Sequence, residues 1–322
     1  MEEFRFAVMG AGNIAGKFCR AARIAGNCRV SAVASKSLER AQAFAGENGI
    51  ERAYGDYRAM LEEEKPDCVY IAVTTDAHYK LASLCLDYRV PVLCEKAMFT
   101  NSGHAEEIFA RSYREGIFVM EAMWSRFLPA IRKAGEWLRQ GRIGKASLLE
   151  ADIGFAAPRD AKNRYFNPAL GGGAAFDITV YAWELAMYFF GPDLPERTRA
   201  EALWGETGVD VSDHVTLLWK DRAASLNTSF LAPVEERLVI YGDKGKIHIP
   251  KPHVAGEAIL YSVDGQIAEH FRDTKTQNGF EYEIREVMEC IANGAVESPA
   301  VPHSLTLGCA RLFDSIRETK VQ

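Results

Sequence analysis

Lys96 is the residue of this chain whose position best suits a catalytic role. It follows the short apolar run Pro91-Val-Leu-Cys94, which is typical of a buried β-strand, and it comes directly after Glu95. A lysine at a strand end can polarise or deprotonate a hydroxyl group when burial or a neighbouring charge lowers the pKa of its amine. We therefore expect Lys96 to be catalytic, with Glu95 as a structural partner rather than a second acid. The alternative is that Lys96, like most lysines, only solubilises the surface.

A glycine-rich turn near the start of the chain predicts a nucleotide site. Residues 3 to 16 form an apolar strand, a turn containing Gly10 and Gly12, and the start of a helix at which Gly16 would allow close packing. Gly10 can take the backbone angles of a tight turn, and Gly12 lets the main chain approach a pyrophosphate. Free N–H groups at the helix start attract the phosphates, although an ordinary strand-to-helix turn is the alternative. The residues expected to contact the dinucleotide here are Gly10, Gly12, Asn13 and Ile14.

The end of the second predicted strand, residues 29 to 35, indicates which dinucleotide is preferred. An acidic residue at this strand end would accept a hydrogen bond from the ribose 2′-hydroxyl of NAD. The chain has Ser35 and Lys36 there instead, followed by Arg40. A hydroxyl and cations suit a 2′-phosphate, so we expect NADP to be preferred over NAD. The alternative is that Lys36 and Arg40 are solvated charges at the start of a surface helix.

A third strand end also carries polar side chains. The buried-type run Cys68 to Val73 leads into Thr74-Thr75-Asp-Ala-His78. Ligands of parallel sheets lie outside the carboxyl ends of the strands, so these side chains are placed to reach a cofactor. For His78, helix capping or packing is the alternative. The cofactor contacts predicted at the later strand ends are Thr74, Thr75, His78, Glu95 and Lys96.

Composition describes an ordinary globular protein and excludes several partners. With 322 residues, 48% of them hydrophobic, the chain is long enough for two domains with separate cores. A net charge of −6 argues against a nucleic-acid surface. Without a basic and apolar leader or an apolar stretch of about 20 residues, we expect a cytoplasmic protein with no membrane segment. The seven cysteines and seven histidines show no metal-ligand spacing, so we expect reduced thiols and no metal.

Several longer motifs run through the chain. They are Gly10 to Gly12, Thr74 to His78, Glu95-Lys96, Glu121 to Pro129, Gly171 to Tyr181, Phe280 to Ile291 and Pro302 to Leu305. Together these motifs resemble the Gfo/Idh/MocA oxidoreductase family, which includes glucose-fructose oxidoreductase and inositol dehydrogenase. The stretch from Met123 to Pro129, and Asp177 with Tyr181, look most like the branch of dimeric dihydrodiol dehydrogenase and NADP-dependent D-xylose dehydrogenase.

The resemblance implies a two-domain plan. Residues 1–120 would form an α/β Rossmann domain, and 121–322 a substrate-binding and oligomerisation domain of the α+β class with a large, mostly antiparallel open sheet. The sequence agrees independently, because alternating runs joined by glycine-rich turns are typical of antiparallel strands. These runs cover residues 147–153, 214–219, 224–230, 237–241 and 246–249. In the family one side of this sheet packs against another subunit, so we expect a homodimer or homotetramer formed through it.

The reaction implied by the resemblance is hydride transfer between a nicotinamide and a secondary alcohol or hemiacetal of a sugar, polyol or cyclic diol. Lys96 and Tyr181 are the candidates for handling the hydroxyl proton, and the Lys96 charge would favour a tyrosinate. Asp177, four residues before Tyr181, would share its helix face and orient the site. The alternatives are a helix N-cap for Asp177 and a packed aromatic side chain for Tyr181.

Three further residues complete the predicted substrate pocket, together with Asp177 and Tyr181. Trp124 and Phe155 would supply an apolar wall for a ring-shaped substrate, and Arg126 would steer a polar one. For the two aromatic residues the alternative is a place in the core between the domains.

Two departures from the family pattern keep a second function open. Ala97 stands where the family usually has proline after the lysine, and Thr179 stands where it usually has glycine. The first change removes a fixed backbone angle from the turn that presents Lys96. A non-catalytic nicotinamide-binding regulator of the same fold is therefore the second hypothesis. A methyltransferase or other nucleotide binder would explain neither Lys96 nor the second domain.

Overall fold

The computed structural model describes residues 3–158, 160–191 and 193–321. By its internal contacts the chain divides into two compact units. The first extends to Trp124 and includes Gln277–Leu307, and the second consists of Ser125–Thr276 and the segment from Gly308 onward. The first unit thus contains a C-terminal segment as well, whereas the sequence predicts a single break near residue 120.

Helices alternate with strands in the N-terminal part, and strands dominate the middle of the chain. The strands are β1 (Phe4–Met9), β2 (Cys28–Ala34), β3 (Arg52–Tyr54), β4 (Cys68–Ile71), β5 (Val92–Glu95), β6 (Val119–Ala122), β7 (Ala146–Gly154), β8 (Arg197–Trp204), β9 (Asp210–Leu218), β10 (Ala223–Ser229), β11 (Arg237–Gly242), β12 (Gly245–Pro250), β13 (Glu257–Ser262) and β14 (Ile267–Arg272). The helices are α1 (Asn13–Ala25), α2 (Leu38–Asn48), α3 (Tyr57–Glu64), α4 (Thr75–Asp87), α5 (Ser102–Glu115), α6 (Pro129–Arg139), α7 (Val180–Phe190), α8 (Glu281–Ala292) and α9 (His303–Glu318). A π-helical turn, Ala175–Thr179, precedes α7.

The first unit is built on a parallel sheet with the strand order β3-β2-β1-β4-β5-β6. This is the doubly wound order of dinucleotide-binding sheets, in which the chain reverses direction across the sheet beside its first strand. All four residues of β4 and all four of β5 are buried, as expected of strands covered on both faces. Helix α8, which comes late in the sequence, packs against α1. The predicted Rossmann domain is confirmed.

The second unit contains a sheet with the order β14-β13-β12-β11-β7-β10-β9-β8. Every neighbouring pair is antiparallel except β7 and β10. Helix α6 packs on β12 to β14, and α7 packs on β7 and β10. Buried and half-buried residues alternate along β10 and β12, so one face of the sheet is packed and the other is open. The predicted large and mostly antiparallel sheet is confirmed.

Two features of the fold bear on its possible partners. Within the described residues, no helix combines the length and the apolar character needed to cross a bilayer. Across the same ranges, no three His, Cys, Asp or Glu side chains are grouped so that they would hold a metal ion.

Candidate active site

The glycine turn after β1 is shaped to hold a dinucleotide pyrophosphate. Gly10 has a φ of 115°, and a Cβ there would lie 2.3 Å from the Ala72 carbonyl oxygen, so only glycine fits. At Gly12 a Cβ would meet no described atom within 4 Å, which leaves the backbone accessible. Within residues 13–25, α1 has no acidic residue in its first turn and no side-chain cap, so its N–H groups suit an anion. At Gly16, by contrast, there is room for a larger residue, because a Cβ there would make an ordinary contact at 3.6 Å.

The end of β2 presents two exposed cations. Lys36 and Arg40 are exposed, whereas Ser35 is 7% exposed. Ser37 caps α2 by accepting a hydrogen bond from the Arg40 N–H at 3.3 Å. The first turn of α2 also contains Glu39, an exposed acid that the sequence analysis did not weigh. Lys36 and Arg40 can therefore meet a phosphate, with one carboxylate nearby in sequence.

Lys96 lies in the turn after β5, and two buried side chains hold this turn. Lys96 is half-buried, and its peptide bond to Ala97 is cis. His78 Nδ1 lies 2.9 Å from the Ala97 carbonyl oxygen, and the Met98 N–H donates to Glu121 Oε1 at 2.8 Å. Both contacts are made by the Ala97–Met98 peptide group, which is thus held at its carbonyl and at its N–H.

His78 holds the turn that carries Lys96 in place. Its side chain is 1% exposed, and its Nε2 lies 3.1 Å from the Val73 carbonyl oxygen, so both ring nitrogens face backbone carbonyls. Burial lowers the pKa of His78, against the effect of its bonds to the Ala97 and Val73 carbonyls. This geometry supports the packing alternative that the sequence left open, and a direct cofactor contact by His78 stays a prediction.

The parallel sheet brings the predicted cofactor residues to one edge. Strands β1, β4 and β5 are neighbours and run in the same direction. Gly10, Thr74 and Lys96 therefore all follow the carboxyl ends of adjacent strands. Thr75 is the first residue of α4. A ligand held by the glycine turn would extend along the edge that carries Lys96.

Glu95 belongs to a buried group of polar side chains that sequence reasoning did not find. The Tyr70 hydroxyl donates to Glu95 Oε1, and Glu95 is 8% exposed. Burial raises the pKa of Glu95, and the Tyr70 bond together with the charges of Lys96 and Lys17 opposes this rise. The sequence interpretation of Glu95 as a structural partner is consistent with this environment.

Lys17 and Glu283 complete this buried group. The Lys17 ammonium lies 3.9 Å from the ring centre of Trp124 and 4.2 Å from that of Phe280, and burial lowers its pKa. Glu283 is fully buried, and neither of its carboxyl oxygens has a hydrogen-bond partner among the described residues. Burial and the nearby Glu95 raise its pKa well above the usual range. The motif that begins at Phe280 is the sequence feature that could have indicated this group, because it places the acid Glu283 on the buried face of a helix.

Asp177 and Tyr181 lie in the second unit, on the π-helical turn and the first turn of α7. Asp177 Oδ1 lies 3.1 Å from Arg164 Nη1, and the Asp177 side chain is 13% exposed. Tyr181 is buried, with its ring centre 5.6 Å from that of His253. Within residues 174–179 the cap position is Ala174, so the N-cap alternative for Asp177 is wrong. The sequence also predicts one continuous α-helical face, whereas the structure has a π-helical turn.

The predicted wall residue Phe155 belongs to an aromatic cluster in the second unit. Its ring centre lies 5.3 Å from those of Tyr165 and Phe230, and the Arg164 guanidinium lies 4.2 Å from the centre of Tyr165. The cluster therefore adjoins the partner of Asp177, and it offers a flat apolar surface beside a charged pair.

Arg126 is engaged elsewhere. Its guanidinium is 5% exposed and forms a 2.8 Å ion pair with the fully buried Glu184. Burial raises the pKa of Glu184, and Arg126 opposes the rise. Burial and pairing of this kind support a structural role for Arg126, and substrate steering by Arg126 stays a prediction.

Comparison with known proteins identifies the class to which this fold and this site belong. Residues 4–122 match an oxidoreductase family with an NAD-binding Rossmann fold, and residues 131–248 match the GFO/IDH/MocA C-terminal domain. The chain therefore belongs to the Gfo/Idh/MocA oxidoreductase family, and it is an NAD(P)-dependent oxidoreductase.

Curated relatives agree with the branch that the motifs predict. A trans-1,2-dihydrobenzene-1,2-diol dehydrogenase of Danio rerio is 30% identical over 97% of this chain and 96% of the relative. The protein of that name from Mus musculus is 31% identical over 98% and 96%. These relatives are dehydrogenases, so the prediction of a dehydrogenase is confirmed.

Solved structures agree with the fold. The aldose-aldose oxidoreductase of Caulobacter crescentus, complexed with glycerol, has a TM-score of 0.89 at 22% identity and covers 99% of this chain and 98% of its own. A 3-ketoreductase from Actinomadura kijaniata, solved with NADP, has a TM-score of 0.86 at 24% identity, with 98% and 97% covered. Levoglucosan dehydrogenase, solved with NADH and levoglucosan, has a TM-score of 0.88 at 17% identity, with 99% and 97% covered. At these identities the likeness establishes the fold alone.

Proposed function

We propose that this chain is an NADP-preferring dehydrogenase acting on a secondary alcohol or hemiacetal of a sugar, polyol or cyclic diol. The observation that carries the proposal is the position of Lys96. It is a half-buried amine in a firmly held turn, at the same sheet edge as the glycine turn. The dihydrodiol dehydrogenases among the relatives support a cyclic diol as one substrate class.

The proposed mechanism divides proton handling between two residues. When bound, the nicotinamide supplies the group that accepts or donates a hydride. Lys96 donates a hydrogen bond from its ammonium to the substrate oxygen and stabilises negative charge there. In the oxidation direction Tyr181, as a tyrosinate, takes up the hydroxyl proton at its oxygen, and in the reduction direction the phenol returns it. Asp177 orients the substrate hydroxyls as an acceptor, and Arg164 holds its carboxylate in place.

The aromatic cluster supports a ring-shaped substrate. Phe155 and Tyr165 present apolar surface beside the Arg164–Asp177 pair, and this combination suits a molecule with one apolar face and several hydroxyl groups. Trp124 is half-exposed in the first unit and is proposed as a second apolar contact.

We also propose that the chain forms a homodimer or homotetramer through the open face of the second unit's sheet. Leu148 on β7 and Ile259 on β13 belong to this face, and Leu148 is 38% exposed. A second copy would cover these apolar side chains together with the polar groups around them. A cytoplasmic location stays a prediction.

The first experiment is a substrate scan with the purified chain. Reduction of NADP and NAD is followed by the absorbance of the reduced nicotinamide, against a panel of aldoses, inositols and trans-dihydrodiols. We expect turnover with at least one member and a lower KM for NADP than for NAD. Tight NADP binding without turnover on the whole panel would favour the non-catalytic regulator.

The second experiment tests the residue that carries the proposal. Lys96→Met is expected to lower kcat by about 10³-fold or more while the Kd for NADP changes by less than about threefold, because the amine acts on the substrate oxygen. Lys80→Met, on the exposed side of α4, is the matched control and should keep wild-type kcat. Tyr181→Phe should lower kcat by about 10²-fold. Wild-type kcat in Lys96→Met would overturn the mechanism.

A further inference from the structure

A buried polar network lies under the π-helical turn that carries Asp177. The Ala175 N–H donates to Asp210 Oδ2 at 2.6 Å. Thr179 Oγ1 lies 2.6 Å from Asp213 Oδ2 and 2.6 Å from Thr228 Oγ1. The four side chains of the network are at most 5% exposed. The first and last residues of the turn are therefore both tied to the sheet below it.

The two aspartates share one face of the sheet because β9 contains a bulge. Strand β8 pairs Leu203 with Ser212 and Trp204 with Asp210, so Val211 is an extra residue in β9. In a regular strand, residues 210 and 213 would point to opposite faces. The extra residue turns both carboxyl groups toward the π-helical turn, as bulges next to functional sites often do.

The close approach of Asp210 also constrains the glycine run before the turn. Gly173 has a φ of 128°, and a Cβ there would lie 2.4 Å from Asp210 Oδ1. Glycine is therefore needed at this position both for its backbone conformation and for the space that Asp210 takes.

The surroundings of Asp213 favour a shared proton. Thr179 faces it from the turn, Thr228 from β10 and Ala202 from β8, and Asp210 is the charged neighbour. Burial and the Asp210 charge raise the pKa of Asp213 well above the usual range. In the described part of the chain, Asp213 Oδ1 has no hydrogen-bond donor against it. Two neighbouring buried carboxyl groups favour a state with one proton between them.

We propose that Thr179, Asp213 and Asp210, with one proton shared between the two carboxyl groups, are positioning residues that hold Asp177 and Tyr181 in their working geometry. Thr179 is the residue at which the chain departs from the family's glycine, so its hydroxyl adds a tie that a glycine could not make. For its catalytic consequence this inference rests on the proposed function.

The positioning role of the Thr179 hydroxyl group is tested by a pair of substitutions. Thr179→Val keeps the shape of the side chain and removes the bond to Asp213, so we expect kcat to fall about 10- to 100-fold with the KM for NADP unchanged. Thr179→Ser keeps the hydroxyl and should retain kcat within about threefold. Thr198→Val, at an exposed position of β8 outside the open face, is the matched control. Wild-type kcat in Thr179→Val would overturn the positioning role.

The proton shared by Asp210 and Asp213 is tested by a stability measurement that needs no substrate. The pKa of Asp213 is higher in the folded state than in the unfolded state. The contribution of Asp213 to stability is therefore complete at pH values below the ordinary carboxyl pKa, and it is lost as pH rises through the folded-state pKa. Asp213→Asn keeps a donor and an acceptor and has no charge to gain. We therefore expect the Tm of Asp213→Asn, relative to wild type, to rise from about pH 5 to about pH 9.

A Tm difference that stays constant with pH would overturn the shared proton. Because this measurement needs no turnover, it distinguishes the two proposals. A wild-type chain inactive on every substrate refutes the proposed function, whereas the pH-dependent Tm difference tests the network by itself.

Discussion

Glu283 is a buried acid of the first unit that has no part in the proposed reaction. Its carboxyl group is fully buried in α8, and among the described residues neither oxygen has a hydrogen-bond partner. Burial and the charge of Glu95 raise its pKa well above the usual range, against the opposite effect of Lys17. These surroundings favour the protonated form of the Glu283 carboxyl group.

Replacing Glu283 by methionine should stabilise the protein at high pH. The folded state holds the proton more tightly than the unfolded state, so the Glu283 contribution is complete below the unfolded pKa of 4.5 and is lost as pH rises through the folded value. Glu283→Met has a similar volume and no charge to desolvate, so we expect a gain of about 1–3 kcal/mol at alkaline pH and a smaller one near pH 5. Calorimetric unfolding across this range measures the difference.

The control for this substitution is Glu47→Met. Glu47 is an exposed acid of α2, and its replacement should leave the pH dependence of the unfolding temperature unchanged. A loss of stability in Glu283→Met that does not change from pH 5 to alkaline pH would show that folding does not raise the pKa of this carboxyl group.

Single residues could be predicted from the sequence where the signal is local. Lys96 follows an apolar strand, and that position is visible without any knowledge of its neighbours. Its surroundings were not visible, because Lys17, Tyr70 and Glu283 come from α1, β4 and α8 and meet only in the folded unit. The ion pair of Arg126 was not visible for the same reason, since its partner Glu184 lies on another helix.

At the scale of elements, strand ends were predictable and strand register was not. The glycine turn, Ser35 and Lys96 follow runs whose apolar residues indicate buried strands, and the sheet order confirms their common edge. The π-helical turn Ala175–Thr179 and the bulge at Val211 depend on which residue of one strand lies opposite which residue of the next. Hydrophobic periodicity shows which face of a strand is buried, but it does not show where one extra residue interrupts the pairing of two strands.

The junction of β2 and α2 leads to a prediction about cofactor preference. Lys36 is exposed directly after the strand, where a 2′-phosphate would be recognised. We expect Lys36→Ala to raise the KM for NADP about tenfold, which corresponds to about 1.4 kcal/mol for a charged hydrogen bond, with the KM for NAD unchanged. Initial rates with both cofactors measure the change, and Lys80→Ala serves as control. An equal rise for both cofactors would show that Lys36 does not recognise the phosphate.

At the scale of the whole molecule, the open face of the second unit's sheet is the surface on which we propose that a second copy of the chain binds. Polar side chains on this face already pair across strands, as in the 3.0 Å contact of Arg237 with Asp152 and the 3.1 Å bond from the Tyr241 hydroxyl to Glu150. Leu148 is in register with Tyr241 and is 38% exposed. A surface of paired charges with apolar side chains between them resembles the composition of subunit interfaces.

A charge placed on this face should therefore separate the subunits. Leu148→Arg would bury an unpaired cation in the proposed interface, so we expect the mass in solution to fall from at least twice 35.7 kDa to that of the single chain. Light scattering after size exclusion measures this change. Val263→Arg, at the exposed turn between β13 and β14, is the matched control and should leave the wild-type mass unchanged. A wild-type mass of 35.7 kDa at micromolar concentration would refute the interface, and an unaltered oligomer in Leu148→Arg would place it on another surface.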